Sequence, residues 1–309
     1  MADQRVLVTG ASGFVGPHVV AALLEAGYVP RLALRNPRPV PAGAESVETG
    51  DLSGPVDWRP ALEGVDHVVH MAGLAHAGPG LDEALYRRIN TEATLELARA
   101  AEKAGIRRFV YLSSIKALTG VFDGPPLTED SPPAPGDPYG RSKLAAEQGL
   151  AARDLDWVAL RPVLIYGPGV KANMAALLKL ARLPLPLPLG GLKAPRSLLA
   201  VENLASAILF ALTPACPVRQ SYTLSDPEPI SVADMLAAMR AGLGRGPGLL
   251  PVPEAWLRRL AGLAGREETF LKLAGSVVAR PERLLRAGWR PQVETKAALA
   301  RLAASSRAG

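Results

Sequence analysis

The sequence predicts a doubly wound α/β protein, one mostly parallel sheet between helical layers, with a smaller mixed α/β lobe toward the C-terminus. Three observations predict it. The first two-thirds alternates short β-branched runs with Ala- and Leu-rich stretches at helical spacing, the rhythm of right-handed βαβ units. The first run, Val6-Leu7-Val8, leads straight into a glycine-rich turn and then a helix. Beyond Arg161 the alternation stops, and Leu-Pro-Leu-Pro-Leu-Pro at 183–188 excludes both helix and central strand.

Taken in order, strands are expected at 5–8, 30–34, 46–48, 67–71, 109–113 and 157–160, each a short apolar or β-branched run. Helices are expected at 13–25, 81–104 and 138–152, where apolar positions recur every three or four residues. Asp137 and Pro138 suit the last helix as N-cap and first helical residue, so the proline-rich segment 124–138 reads as the loop leading into it. A short helix follows around 173–181. Segment 197–212 reads as a strand, expected to rejoin the sheet, and then a helix. Segments 231–245 and 254–273 read as helices of the smaller lobe. The expected division is 1–165 with 197–220 for a dinucleotide-binding domain, and 166–196 with 221–309 for a discontinuous substrate lobe. No repeat of fixed period is present.

Bulk properties set limits on function. The 309 residues are 48% hydrophobic and 21% charged, enough to bury a full core. The first four residues lead directly into the apolar run at Val6, leaving no room for a signal peptide, and no apolar stretch approaches the roughly 20 residues a bilayer requires. A cytoplasmic protein without a membrane partner is expected. The single cysteine, Cys216, has no internal partner for a disulfide. The net charge of +6 comes from basic pairs such as Arg87-Arg88 and Arg258-Arg259, not from a cluster interleaved with aromatics. Nucleic acid is therefore not an expected partner, whereas a basic surface attracts phosphate-bearing small molecules.

The turn Thr9-Gly10-Ala11-Ser12-Gly13-Phe14-Val15-Gly16 has GxxGxxG spacing between strand and helix. Its glycines allow a tight turn and the approach of backbone N–H groups to a pyrophosphate, as in a Rossmann-type domain. Selection for NAD by such domains rests on an acidic residue at the end of the second strand. Here that place holds Leu34, followed by Arg35. A guanidinium there pairs with a 2′-phosphate, which leans toward NADP, or lies over the adenine face, which does not discriminate. The cofactor is NAD or NADP on this reading.

Tyr139 and Lys143 are four apart on an expected helix and so project from one face. A free tyrosine ionises near ~10, and a neighbouring ammonium favours its phenolate form by a few units. Ser113-Ser114 closes the strand at 109–113, at the strand ends where ligands bind in such sheets, and a hydroxyl there can hydrogen-bond a substrate oxygen. His67 and His70 fall on a strand with no Cys or carboxylate cluster to complete a metal site, so no metal is expected.

These motifs, with Asp51-Leu52, His70-Met71-Ala72-Gly73, Asn90, Arg161-Pro162, Tyr166-Gly167-Pro168-Gly169 and Val201-Glu202-Asn203-Leu204-Ala205, occur in the order found in the extended short-chain dehydrogenase/reductases. Over nearly its whole length the chain resembles their nucleotide-sugar epimerase and reductase branch. The resemblance implies a cofactor site formed by Gly10, Ser12, Gly13, Phe14, Val15, Gly16, Arg35, Asp51, Leu52, Met71, Ala72, Gly73, Asn90, Lys143 and Pro162. Within it, Asp51 and Leu52 would meet the adenine, and Lys143 the nicotinamide ribose. It implies Ser114, Tyr139 and Lys143 as catalytic residues, and His76, Ser114, Lys116, Asn173 and Arg196 as contacts of a nucleotide-diphosphate sugar. A homodimer through the helices at 90–104 and 139–152 is a further implication.

Two departures limit the transfer. Dehydratases of this superfamily carry an Asp-Glu pair where this chain has Ile115-Lys116, which argues against sugar dehydration. Galactose-type epimerases carry an acidic residue at the end of the second strand and an Asn shortly after the position of Arg161, and this chain lacks both. Segments 113–116 and 170–173 are similar to bacterial polysaccharide-pathway members. A 4-epimerase working through a 4-keto intermediate is the first expectation, and an NADPH-dependent 4-keto reductase the alternative. A non-catalytic cofactor sensor is the rival from another class, disfavoured by the intact Tyr139 and Lys143.

Overall fold

The computed structural model describes residues 4–75, 82–120, 124–170 and 172–306. Its main sheet has seven strands, all parallel, in the order β10-β6-β5-β4-β1-β2-β3. These are β1 (Arg5–Thr9), β2 (Val29–Leu34), β3 (Glu45–Glu48), β4 (His67–His70), β5 (Arg108–Leu112), β6 (Trp157–Pro162) and β10 (Gln220–Leu224). Strand order reverses between β1 and β4, which opens a crevice at their carboxyl ends.

Why these runs form strands follows from burial on both faces. Val6, Leu7 and Val8 are wholly buried. Val6 and Val8 face one core with helices α1 (Gly16–Glu25) and α7 (Val201–Leu212), while Leu7 faces another with α2 (Arg59–Leu62), α4 (Ala93–Lys103) and α5 (Pro138–Ala151). Each such side chain contributes about 1.5–3 kcal/mol on burial.

The first six strands fall where the sequence predicts them, and α1 begins three residues later than expected. The helix expected at 81–104 is helical without interruption from Glu83 to Lys103, with a π-helical turn at Arg87–Glu92 between α3 (Glu83–Tyr86) and α4. The strand expected after Ser197 forms as β9 (Leu198–Ala200), but it does not rejoin the sheet. It pairs in parallel with β7 (Leu164–Tyr166) as a separate ribbon. The chain turns off the sheet after Pro162, and the place beside β6 goes to β10. Polar residues alternate along Gln-Ser-Tyr-Thr-Leu in β10, which hides it from a search for apolar runs.

The second lobe has its own core. Helices α6 (Ala172–Arg182), α8 (Val232–Gly242) and α12 (Thr295–Ser305) contribute Met174, Leu177, Met235, Leu236, Met239 and Leu299. The two-stranded pair of β8 (Pro195–Arg196) and β11 (Ile230–Ser231) lies at its edge. The single helix expected at 254–273 is two, α9 (Glu254–Leu263) and α10 (Glu267–Ala274), because Gly265 adopts a left-handed φ of 66° between them. The last short helix, α11 (Glu282–Arg286), returns toward β10. At the junction of the lobes, the buried Asp226 accepts hydrogen bonds from Ala200 N, Asn203 Nδ2, Tyr166 OH and Thr295 Oγ1.

Candidate active site

The crevice begins where β1 ends. Gly10 has a φ of 75°, and a Cβ there would lie 2.6 Å from Ala72 N, so only glycine lets β1 end this close to the segment following β4. A Cβ on Gly16 would meet Ala11 O at 2.3 Å, which fixes the close packing of the loop on α1. The α1 N-terminus has no side-chain cap, leaving its first N–H groups available to an anion. Ser12 and Gly13 are exposed here, with Phe14 and Val15 half-buried; Phe14 meets His18 edge-on at 6.2 Å. This cradle fits a dinucleotide pyrophosphate on the chemistry of its own backbone.

At the end of β2, Leu34 is buried and Arg35 is exposed. The Arg35 guanidinium pairs with Asp51 at 3.0 Å. Asp51 also accepts from Ser53 N at 2.8 Å, and hydrogen bonds from Ser53 together with the Arg35 charge hold its carboxyl below the usual range. Leu52 is half-buried against the core beside α2. On the other side of the crevice, Met71, Ala72 and Gly73 follow β4, and Ala72 N donates to Thr9 Oγ1 at 3.1 Å. His70 beneath them bridges Thr9 and Thr94, and burial beside Lys143 pushes its ring down to about 3, so it is a neutral strut.

Asn90 is fully buried, and its amide is occupied from behind the crevice. Its Oδ1 accepts from Leu74 N at 2.7 Å, and its Nδ2 donates to Leu74 O and Ser142 Oγ. It thus locks the segment after β4 onto α5. The π-turn that carries it is a deformation frequent at functional sites.

Helix α5 starts as the sequence predicts, with Asp137 accepting from Gly140 N at 2.7 Å and Pro138 in the first turn. Gly140 permits the turn carrying Ser114 to approach, since a Cβ there would lie 2.3 Å from Lys116 O. Ser114 stands beside the Tyr139 hydroxyl and favours its ionised form against the effect of burial. Lys143 is 4% exposed, donates to Leu112 O at 2.9 Å, and lies 4.7 Å over the Tyr111 ring and 6.0 Å from the Tyr139 ring. Ser114, Tyr139 and Lys143 are therefore brought together at the end of β5, facing Gly73. A Cβ on Gly73 would come within 3.3 Å of the Lys143 ammonium.

Electrostatics here runs against one expectation. The ammonium is expected to favour the Tyr139 phenolate, yet burial pushes Tyr139 up to about 12. Burial pulls Lys143 down to about 8, against the opposing pull of Glu147. At neutral pH this chain presents a protonated phenol beside an ammonium held at a desolvation cost.

Three residues that sequence reasoning missed complete the support. Glu147, one turn beyond Lys143, accepts from Ser113 Oγ, pairs bidentately with Arg161, and accepts from Ser221 Oγ at 2.9 Å. The regular spacing of 139, 143 and 147 was the signal available for it. Ser142 ties α5 to Asn90 and Thr91. Tyr86 packs its ring 6.3 Å from that of Tyr139.

The expected substrate contacts are less gathered. Lys116 Nζ pairs with Asp137 at 2.5 Å, and both are partly exposed. Arg196 donates from Nη2 to the carbonyls of Leu273 and Gly275, at the end of α10. Pro162 is buried at the end of β6. His76 lies outside the described residues, as does the side chain of Asn173. Among the described residues no group of three His, Cys, Asp or Glu could hold a metal ion.

Comparisons with known proteins bear on family and fold. The family model described as "NAD dependent epimerase/dehydratase family" matches residues 6–222. A UDP-glucose 4-epimerase of Vibrio cholerae is 34% identical over 302 residues, covering 93% of this chain and 91% of that protein. The structure of the Thermus thermophilus UDP-glucose 4-epimerase in complex with NAD has a TM-score of 0.74 at 26% identity, over 98% and 99% of the two chains. The Bordetella bronchiseptica enzyme WbmG in complex with NAD shares the fold, with a TM-score of 0.76 at 23% identity over 99% of this chain and 95% of that one.

Proposed function

This chain belongs to the NAD dependent epimerase/dehydratase family, and on that premise we propose that it is a nucleotide-sugar 4-epimerase working through a 4-keto intermediate. The observation that carries the reading is the convergence of Ser114, Tyr139 and Lys143 on the crevice beside the Gly10 cradle. The 34% identity to a UDP-glucose 4-epimerase along 93% of the chain supports a UDP-hexose substrate. That the product enters polysaccharide assembly is part of the proposal and rests on the resemblance of segments 113–116 and 170–173.

Bound across the strand ends, a nicotinamide would supply the acceptor, and later the donor, of a hydride at sugar C4. Gly10, Gly16 and the uncapped start of α1 would hold its pyrophosphate, and Lys143 its ribose. Ser114 donates to the C4 oxygen and holds it against Tyr139. Tyr139 takes the C4 hydroxyl proton as the carbonyl forms and gives it back as the carbonyl is reduced, a role general acid–base groups fill at about 10²–10⁴-fold in rate. The phenol starts protonated, so before the outward step Tyr139 gives up its own proton to solvent. The Lys143 charge stabilises the phenolate that then accepts the C4 proton, and the return step restores that proton to the sugar. Because hydride must return to the opposite face, the keto sugar has to turn over in the crevice.

We assign NAD in preference to NADP. The exposed Asp51 carboxylate stands beside Arg35 and repels a 2′-phosphate, whereas a 2′-hydroxyl can donate to it. A reductase of 4-keto sugars is the second reading, favoured by the protonated state of Tyr139.

The test is to denature the purified protein, identify the nucleotide released, and assay the native protein with UDP-glucose. Near-stoichiometric NAD and formation of the C4 epimer without added cofactor are expected. An empty site that takes up NADPH reversibly, with turnover only of a keto sugar, would replace epimerase by reductase.

A further inference from the structure

Among the described residues eight large apolar side chains are strongly exposed, and seven of them fall in two neighbouring stretches of the second lobe. Leu183 and Leu185 lie in the proline-rich loop after α6, and Leu250, Trp256, Leu260, Leu263 and Leu271 lie on and around α9 and α10. Leu187 and Leu249 bridge the two stretches, and Leu187 N and Leu250 N bind their partners across that bridge. Helix α9 has no buried residue at all. Leu257 and Ala261 rest on the second core, whereas Trp256, Leu260 and Leu263 follow i, i+4, i+7 spacing and form a separate stripe open to solvent.

Charge is concentrated at the same place. Segments 179–193 and 245–272 hold eight Lys or Arg against three Glu, nearly all of the net +6 of the chain. Lys179, Arg182, Lys193, Arg245, Arg258, Arg259 and Arg266 are exposed, and Arg259 flanks the apolar stripe. A Trp and Leu stripe beside arginines matches a helix that lies in the plane of a membrane surface. Two copies of this face would set Arg259 and its neighbours against each other, a like-charge contact that opposes self-pairing. Among the described residues no helix is long and apolar enough to cross a bilayer, so the fit is to its surface.

We propose that the face formed by α9, α10 and the loop at 183–189 is a docking surface for an anionic lipid bilayer. Trp256, Leu260 and Leu263 enter the interface, and the surrounding cations meet the lipid phosphates. The end of α10 also holds Arg196 through the Leu273 and Gly275 carbonyls, so the docked face adjoins the substrate lobe's own side chains. The proposal does not depend on which sugar the enzyme takes.

The experiment is sedimentation of the full chain with vesicles of equal parts phosphatidylglycerol and phosphatidylcholine, against vesicles of phosphatidylcholine alone. Binding to the anionic vesicles, weakened by salt, is expected. Trp58, Trp157 and Trp289 are 3%, 5% and 2% exposed, so a blue shift on binding reports Trp256. Arg259→Glu removes one positive charge and adds a negative one, and should weaken binding by at least about fivefold, the value of a single interfacial cation. Trp256→Ser with Leu263→Ser should abolish binding while thermal melting stays unchanged, since neither side chain is buried. Absence of binding to anionic vesicles would overturn the proposal. Equal binding to both vesicle types would do the same, as would concentration-dependent dimerisation lost in the double variant without vesicle binding.

Discussion

Lys143 and Asp226 are both buried charged groups, but they differ in how fully they are satisfied. Asp226 sits at the junction of the two lobes and accepts from two side-chain hydroxyls, an amide and a backbone N–H. Lys143 has three N–H bonds and, among the described residues, one hydrogen-bond partner, the Leu112 carbonyl, with aromatic faces around the rest. Buried polar groups are normally paired, and a saturated one clamps structure. An incompletely paired ammonium at the mouth of a crevice is instead held ready for a ligand, at a cost to stability. The fold thus separates a junction built for stability from a site built for chemistry.

The largest effect expected from breaking this separation is on rate. Tyr139→Phe keeps the ring packing on Tyr86 and removes only the hydroxyl that Ser114 engages. Turnover should fall by about 10²–10⁴-fold with the melting temperature almost unchanged. Activity within tenfold of the native protein would remove Tyr139 from proton transfer. At the other region the signs exchange. Asp226→Ala takes the shared acceptor from four buried donors, of which Tyr166 OH and Asn203 Nδ2 keep a backbone carbonyl, and should cost about 3 kcal/mol in chemical denaturation. The fraction that remains folded should retain its turnover per molecule.

A smaller effect, of opposite direction, is expected at Lys143. Its folded-state value of about 8 lies below the ordinary 10.5, so the ammonium is present in both folded and unfolded chains below pH 8 and is costly only in the folded one. Lys143→Met removes that cost but orphans the Leu112 carbonyl, for a net gain of about 1–2 kcal/mol near pH 7. As pH rises from 8 toward 10.5, the folded lysine is already neutral while the unfolded one still binds its proton. The native protein therefore gains stability and the advantage of the variant shrinks. Denaturation at pH 7 and pH 10 tests this, and a gap that does not narrow would refute it. Activity should be lost at both.

How far each region could be read in the sequence follows the same division. The crevice was legible because its demands are local: Gly10 must adopt a left-handed φ, and Tyr139 and Lys143 must share a helix face. The support behind it was less so. Glu147 acts through Arg161 and Ser221, partners 14 and 74 residues away, and no short pattern announces that pairing. In the second lobe, β10 was hidden by its polar alternation, and the departure of β9 from the sheet depends on a turn after Pro162 that any apolar triplet could follow. Arg196 shows the same limit. The resemblance implies it as a contact of the substrate diphosphate, and its Nη2 also reaches two carbonyls of a helix end 77 and 79 residues away, a pairing that no short pattern announces.

The smallest effect expected is at Arg35, and it bears on the cofactor. A guanidinium after β2 leans toward NADP when Leu34-Arg35 is read alone. In the fold, Asp51 reaches it from the loop after β3, and the two side chains are 70% and 43% exposed. An exposed pair of this kind is worth under about 1 kcal/mol, so neither partner is tightly bound to the other. A 2′-phosphate approaching Arg35 must therefore displace a weak partner and also face the charge of Asp51, whereas a 2′-hydroxyl can donate to that carboxylate. Arg35→Ala should leave NAD binding within about threefold, within the modest value of such a pair. Asp51→Asn should improve NADP relative to NAD by about three- to tenfold, because it removes the repulsion and frees the guanidinium for a bidentate phosphate contact. Dissociation constants for the two nucleotides, measured on the apoprotein of each variant, give the ratio directly. If Arg35→Ala instead abolished NADP binding in a protein that already preferred it, the Asp51 carboxylate would not control the site, and the sequence-level lean toward NADP would be the better guide.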